Sequence, residues 1–417
     1  MKIAVVGGGS TYTPELVDGF ARLAPFASEI VLLDPAAERL AVVGAFARRI
    51  LQAHGSRATL RWTSDVDDAL AGAATVVIQL RVGGQQARIS DETFPLACDC
   101  VGQETTGAGG FAKALRTVPV VLDIARRADP GAWIVNFTNP VGIVTRALLD
   151  DGHRAAGLCN VAIGFQRRWA AALGVDPSAV TLDHVGLNHL TWERAAYVDG
   201  VDRLPGLLDA SLDEIAAGVQ IPAAVVRALG CVPSYYLRYF YCHDEVVAQE
   251  RTEPTRGERV AEIERELLGL YADPALSVKP DLLGQRGGAF YSEAAVGLIA
   301  SLHHDDGAHH AVNVRNRGFL PNLSDDAVIE ATCRVGAAGA VPVPAPPLDP
   351  ALAGLVAGVS AYEELAVAAA VHGGRDRVYR ALLAHPLVGQ HDKAERLTGD
   401  LLAANRAHLP WLARRPA

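Results

Sequence analysis

Residues whose types could do chemistry stand just past short apolar runs: Gly7, Gly8 and Gly9, Asp34, Arg81, Asn139, Cys159 with Asn160, and His189. Three successive glycines tolerate positive φ and leave the backbone bare enough for a ligand to touch. They lie between the β-branched run 2–6 and a helical pattern that starts near Pro14. A strand, a glycine turn and a helix N-terminus form an anion cradle, because free amides and the positive dipole end face one point. Asp34 ends a second apolar run, 30–34, somewhat farther on than the customary ~20 positions of a ribose-binding acid. Tyr12 stands where the third glycine of the dinucleotide fingerprint is usual. Together these residues read as a dinucleotide site. Cys159 and His189 read differently. A single cysteine is usually a small buried hydrophobe. A thiolate paired with an imidazole at the ends of two expected strands, however, suits a borderline divalent ion. Two protein ligands cannot complete a structural site, so such an ion keeps open positions for substrate oxygens.

The elements that must hold these groups alternate in type. Strands are expected at 2–6, 30–34, 59–62, 75–81, 133–137 and 156–158, with helices at 39–53, 66–71 and 111–127 between them. Such a rhythm makes an α/β fold: a Rossmann-like doubly wound parallel sheet whose ligands sit at the strands' carboxyl ends. Residues 91–110, rich in Gly and Thr, read as a loop. The rhythm stops near Trp192, which divides the chain into a nucleotide-binding domain, 1–192, and a mixed α+β, helix-rich C-terminal domain, 193–417. In the second half, 260–271 is a strong helix and 342–350 a proline-rich connector. Segments 355–372 and 375–411 read as alanine-rich helices, forming a helical cap or a subunit interface.

Bulk properties exclude several function classes. The 417 residues are 50% hydrophobic, enough for large buried cores, and carry a net charge of −9. That sign argues against nucleic acid and anionic membrane surfaces. No uninterrupted apolar run approaches the ~20 residues of a spanning helix. Met1-Lys2 leads straight into a strand with no signal peptide, and six scattered cysteines suit a reducing compartment. The expected location is the cytoplasm, with a small-molecule substrate.

Several ordered motifs then match a known group. They are Gly7-Gly-Gly-Ser-Thr-Tyr-Thr-Pro14, Arg81-Val-Gly-Gly-Gln-Gln-Ala-Arg88, Gly102-Gln-Glu-Thr-Thr-Gly107, Asn136-Phe-Thr-Asn-Pro140, Gly157-Leu-Cys-Asn160 and Gly186-Leu-Asn-His189. Tyr236-Leu-Arg-Tyr239, Thr255-Arg256 and Arg286-Gly-Gly-Ala-Phe-Tyr-Ser292 continue the series. In these motifs, from residue 1 to about 390, the chain resembles glycoside hydrolase family four, the NAD- and Mn²⁺-dependent glycosidases that depart from two-carboxylate hydrolysis. The likeness is strongest to its 6-phospho-β-glucosidases. The resemblance implies that Cys159 and His189 bind the metal, that Tyr236 is the catalytic base, and that Glu104 raises that tyrosine's basicity. It implies that Arg88, Asn139, Asn160 and Arg256 hold a phosphorylated glucoside or disaccharide. The cofactor set is Gly7, Gly8, Gly9, Ser10, Thr11, Asp34 and Arg81. Family members acting on α-linkages carry Asp where Asn160 stands; an amide cannot protonate a leaving group, so the β-linkage is favoured and the general acid stays open. Ala162 replaces a proline of close relatives. The implied reaction is hydride transfer from sugar C3 to NAD⁺, abstraction of the acidified C2 proton with a metal-stabilised enolate, elimination, addition of water and return of the hydride. A homodimer or homotetramer is expected.

Other readings remain open on the residues alone. Arg88 and Arg256 could be surface ion pairs. Tyr236 sits among Tyr235, Tyr239, Phe240 and Tyr241, an aromatic group that reads as packing. Glu104 could cap the following helix. A lactate/malate-type 2-hydroxy-acid dehydrogenase would share the nucleotide half without needing Cys159, and a non-catalytic NAD(H) sensor would tolerate loss of Tyr236.

Overall fold

The computed structural model describes residues 1–288 and 290–412. Ala289 of the Arg286–Ser292 motif and the last five residues of the expected second domain lie outside the described residues. Thirteen strands form one sheet: β1 Lys2–Val6, β2 Glu29–Leu33, β3 Thr59–Thr63, β4 Thr75–Ile78, β5 Trp133–Asn136, β6 Ala155–Gly157, β7 Val180–Leu187, β8 Leu190–Val198, β9 Val201–Asp202, β10 Val232–Pro233, β11 His309–Arg315, β12 Val328–Gly336 and β13 Gly339–Pro342. The first six run parallel in the order β3-β2-β1-β4-β5-β6, the doubly wound arrangement of a dinucleotide-binding half. Their cores are continuous apolar runs because helices cover both faces: Ile3, Ala4, Val5, Ile30, Val31, Leu32, Val76, Val77 and Val135 are almost completely buried.

The sheet does not stop at β6. It continues antiparallel through β11, β12, β7, β8 and β10, with β13 on β12 and β9 on β8. Strands from beyond residue 300 are thus inserted between β6 and β7. The boundary expected near Trp192 falls inside β8, where Trp192 pairs with Val185 of β7 and Pro233 of β10. The βα rhythm ends there, but the sheet does not.

Three other expectations change. Residues 91–110 are not one loop: the helix Gly84–Thr93 runs into a 3-10 turn, Phe94–Cys98, and the helix Gly107–Arg126 already begins at Gly107. The glycines there mark close approach rather than irregular chain. A Cβ on Gly109 would lie 2.3 Å from the Asp91 carbonyl oxygen, and one on Gly110 2.6 Å from the Thr105 carbonyl carbon. The segment 375–411 is two main helices, Arg375–Ala384 and His391–Ala404, broken at His385-Pro386-Leu387-Val388-Gly389. Finally, the helix Pro350–His372 is long and apolar enough in composition to cross a membrane, although no uninterrupted run is. Half of its most apolar window is buried inside the protein, and Tyr362 on it meets Phe111 of the helix Gly107–Arg126 edge-on at 5.9 Å.

Candidate active site

The glycine turn leads from β1 into the helix Thr13–Leu23. Gly7 has φ +85°, and all three glycines are walled in. A Cβ would lie 2.8 Å from the Gln79 carbonyl oxygen at Gly7, 2.7 Å from Leu32 Cβ at Gly8 and 2.9 Å from Asp34 Oδ2 at Gly9. The turn's amides are less free than the sequence implies. Gly7 and Gly8 both donate to the Leu33 carbonyl at 2.9 Å, Gly9 to Asp34 Oδ2 at 3.0 Å, and Ser10 to the Gly7 carbonyl at 3.0 Å. Positive charge comes instead from two arginines. Arg286 donates to Thr11 Oγ1 at 2.7 Å and to Ser10 Oγ at 3.2 Å, while Arg39 donates to the Gly9 carbonyl at 2.7 Å. Glu264 accepts from both guanidiniums at 3.1 Å; burial alone would raise its carboxyl, but Arg286 and Arg39 hold it below the ordinary value. A bare backbone rimmed by arginines and a carboxylate fixed on the turn fits a dinucleotide diphosphate and its ribose.

Arg81 lies beyond the end of β4, in the loop after Ile78, where it forms a two-pronged pair with Glu104 and also feels the charge of Glu264. Glu104 also accepts from Lys113 at 2.6 Å and lies 3.3 Å from Arg88 Nε. Burial would raise Glu104, yet Arg81, Lys113 and Arg88 keep it well below the ordinary carboxylate range. Its carboxylate therefore neutralises a cation cluster. It makes no side-chain cap to the helix Gly107–Arg126, and among the described residues no hydrogen bond joins it to Tyr236. Arg88 continues the line: Nε donates to Glu92 at 2.7 Å, and the other oxygen of Glu92 accepts from the Gly257 amide at 2.6 Å. Arg256 is next to Gly257 and opens to solvent at the start of the helix Arg256–Tyr271, where a Thr255–Glu258 capping box fixes the turn. Burial and then the nearby Arg88 charge lower Arg256, whose Nη2 donates to the Gln285 carbonyl at 2.7 Å, so two guanidiniums stand close enough to share a ligand anion. Asn139 Oδ1 is buried without a protein partner among the described residues, an acceptor available to a ligand donor.

His189 forms the β7–β8 turn with φ +63°. Its tautomer follows from its neighbours. The Thr105 amide donates to Gln103 Oε1 at 3.0 Å and Gln103 Nε2 donates to Tyr239 Oη at 2.7 Å, which orients the Gln103 amide. The Thr105 hydroxyl then gives its proton to Gln103 Oε1 at 3.2 Å, so it accepts from His189 Nδ1–H at 3.0 Å. Nε2 is left with a bare lone pair, the form a metal requires. Burial pushes the imidazole down to about 4, keeping it neutral. Tyr236, on the 3-10 turn Tyr235–Leu237, stacks on His189 with ring centroids 3.5 Å apart and planes at 8°. Cys159 follows β6 and is 4% exposed; burial and then Glu330 raise its thiol, so its proton leaves only when a cation takes its place. Burial, and then Cys159, raises the Tyr236 phenol above its ordinary value. Asn160 starts the helix Val161–Leu173. Among the described residues no three His, Cys, Asp or Glu side chains gather to hold a metal. A thiol and an imidazole with open remaining positions fit a divalent ion that also takes substrate oxygens, and do not fit a structural site.

The candidate residues thus form a linked series from the glycine turn, through Arg286, Glu264, Arg81, Glu104 and Thr105, to His189 and Tyr236. Asp34 and Gly7 to Thr11 stand together, Arg88 and Arg256 form a second group, and Cys159, His189 and Tyr236 a third. Arg39, Glu264 and Lys113 carry no sequence signal, and Thr105 and Arg286, inside quoted motifs, have no role assigned from sequence.

Comparison with known proteins identifies the family. Residues 2–175 match the model of family 4 glycosyl hydrolases, and residues 184–388 match the C-terminal domain of the same family. A probable 6-phospho-beta-glucosidase of Bacillus subtilis (strain 168) is 38% identical, over 98% of this chain and 97% of that protein. The 6-phospho-beta-glucosidase of Escherichia coli (strain K12) is 36% identical over 99% and 97%. The 6-phospho-beta glucosidase of Thermotoga maritima, solved with manganese, NAD⁺ and glucose-6-phosphate, superimposes with a TM-score of 0.91 at 33% identity, covering 98% of this chain and 99% of that one. NAD and Mn²⁺ are thus cofactors of homologous structures sharing this fold. The chain belongs to the family 4 glycosyl hydrolases.

Proposed function

We propose that the protein hydrolyses 6-phospho-β-glucosides, with NAD⁺ on the Gly7–Thr11 turn and a divalent cation at Cys159 and His189. The observation that carries this reading is the stack of Tyr236 on a histidine whose Nε2 is bare, in a site that also presents the Arg88–Arg256 pair. Bound, the nicotinamide would take and return the hydride of sugar C3, and the cation would polarise O2 and O3 and offset the burial that raises Tyr236.

The chain's own groups do the rest. Arg88 and Arg256 clamp a phosphate through charge-assisted bonds, with Glu92 fixing Arg88 so that its fork is pre-oriented. Asn139 Oδ1 accepts from a sugar hydroxyl. Tyr236 Oη takes the C2 proton once C3 has been oxidised. Glu104 acts at one remove: it neutralises Arg81 and Lys113 and so holds Arg88 in register. Asn160 holds substrate and cannot serve as a proton donor, which favours the β-linkage. The six cysteines are all free, in keeping with a cytoplasmic enzyme.

The test is a panel of chromogenic α- and β-glucosides, with and without 6-phosphate, assayed with NAD⁺ and Mn²⁺ in D₂O. The expected result is turnover of the phosphorylated β-glucoside, no net NADH, and deuterium at C2 of the released sugar phosphate. Net NADH from hydroxy acids without metal would instead mark a dehydrogenase, and product free of C2 deuterium would remove Tyr236 as a base that exchanges with solvent.

A further inference from the structure

Between the two metal-ligand turns lies a buried polar group that neither the cofactor chemistry nor the phosphate clamp uses. Four residues form one rung across four strands: Gly157 of β6 pairs with Asn313 of β11, Asn313 with Glu330 of β12, and Glu330 with Gly186 of β7. Gly157 is two residues before Cys159, and Gly186 three before His189. The rung is tight at both ends. A Cβ on Gly157 would lie 2.8 Å from Asn313 Cβ, and one on Gly186 2.1 Å from the Leu190 carbonyl oxygen. Glu330 is 1% exposed and is held by polar side chains. Its Oε2 accepts from Asn188 Nδ2 at 2.9 Å and from Asn313 Nδ2 at 2.7 Å. Its Oε1 faces His184 Nε2 at 3.0 Å, and the other nitrogen of that ring faces Glu193 at 2.6 Å. Burial would raise Glu330, but His184, Asn188 and Asn313 hold it below the ordinary carboxylate value, so it keeps its negative charge in a place where burying charge is costly.

From this we infer that Glu330 is a positioning residue for the metal site: through Asn188 it fixes the His189 turn, through Asn313 it fixes the strand before Cys159, and its charge stands behind the cation they bind. This inference rests on the proposed metal reading. Residues behind metal ligands set ligand orientation and local potential, and losing one typically costs roughly 10- to 100-fold in metal affinity. Glu330 fits that role because it bonds Asn188, beside His189, directly and reaches the Cys159 segment through Asn313, which pairs with Gly157. Glu193 lies on the far side of His184, and among the described residues it bonds neither Asn188 nor Asn313.

Mn²⁺ affinity of the whole protein, measured by calorimetry or by the EPR signal of free Mn²⁺, tests this with NAD⁺ affinity as the control. Glu330→Gln should bind Mn²⁺ about 10- to 100-fold more weakly, bind NAD⁺ as the wild type does, and recover most of its kcat at saturating Mn²⁺. Asn188→Ala, which cuts the link to the turn while leaving the His184 contacts, should weaken Mn²⁺ in the same direction and stands in if Glu330→Gln does not fold. Glu193→Gln should keep Mn²⁺ affinity near that of the wild type. Unchanged Mn²⁺ affinity in Glu330→Gln or Asn188→Ala, or equal loss of Mn²⁺ and NAD⁺ affinity, would overturn the inference while leaving the metal site in place. Absence of Mn²⁺ binding by the wild type, or full retention by Cys159→Ser, would overturn the metal reading itself.

Discussion

The proposed nucleotide end and the proposed metal end of this site are built in opposite ways. The Gly7–Thr11 turn and Asp34 come from one βαβ unit, close in sequence, joined by backbone bonds to the Leu33 carbonyl and one bond from Gly9 to Asp34. The metal end draws Cys159, His189, Tyr236 and Thr105 from separate segments, held by side chains such as Glu330. A backbone-built site tolerates many neighbours as long as its glycines stay. A side-chain-built site depends on particular residues, so single substitutions there should act more sharply and more selectively.

The sharpest break in that contrast is Cys159→Ser, which should abolish Mn²⁺ binding and turnover while thermal unfolding and NAD⁺ affinity stay near wild type. A hydroxyl is a poor substitute for a thiolate on this kind of ion, and an open site adds little to folding. Near-normal turnover would return Cys159 to the core. Tyr236→Phe should lower kcat by roughly 10²- to 10⁴-fold, the usual effect of losing a general base, with both Mn²⁺ and NAD⁺ still bound. Equilibrium binding measured beside single-turnover rates separates these two variants. Arg88→Ala or Arg256→Ala should then raise KM for the phosphorylated glucoside by an amount worth ~1.5–3 kcal/mol, with little change for unphosphorylated sugar. Equal effects on both sugars would take the phosphate clamp away.

Asp34→Ala tests the backbone-built end and should be milder. It removes one ribose partner and the acceptor of the Gly9 amide, so NAD⁺ affinity should fall by an amount worth ~1 kcal/mol while Mn²⁺ affinity holds. The smallest effect is on stability. Burial would lower His184, but Glu193 and Glu330 on either side raise it to about 10, above the ordinary ~6.5 of the unfolded chain. A folded-state value raised in this way contributes stability that is complete below about 6.5 and is lost as pH climbs through about 10. The difference in unfolding free energy between wild type and His184→Gln should therefore shrink between those limits, and a difference that grows with pH would contradict the pairing.

The same contrast explains what the sequence could tell. Strands β1 to β6 and the glycine turn were legible because each is a local pattern: a short run rich in apolar and β-branched residues, followed at β1 and β2 by Gly7 and Asp34. Cys159, His189 and Tyr236 were legible mainly through ordered motifs, since nothing about a tyrosine among other aromatics marks it as a base. Insertion of β11 and β12 between β6 and β7 was not legible, because strand pairing across such separations leaves no periodic trace in either partner. Glu330 and Lys113 were missed, and Thr105 stood in a quoted motif without a role, because their importance lies in what they touch. The Gly107-Ala-Gly-Gly run was misread because glycine serves both loose chain and close approach, and only the neighbouring carbonyls distinguish them.

The inserted strands also set an order of assembly. During synthesis the six parallel strands and their glycine turn emerge long before residues 309–336, and until β11 and β12 arrive the turns bearing Cys159 and His189 have no shared scaffold. A growing chain has all six parallel strands before β11 and β12 emerge, whereas the proposed cation site needs those later strands. On that reading, loading with metal waits for residues 309–336, and a shorter nascent chain offers cations separate ligands rather than a site.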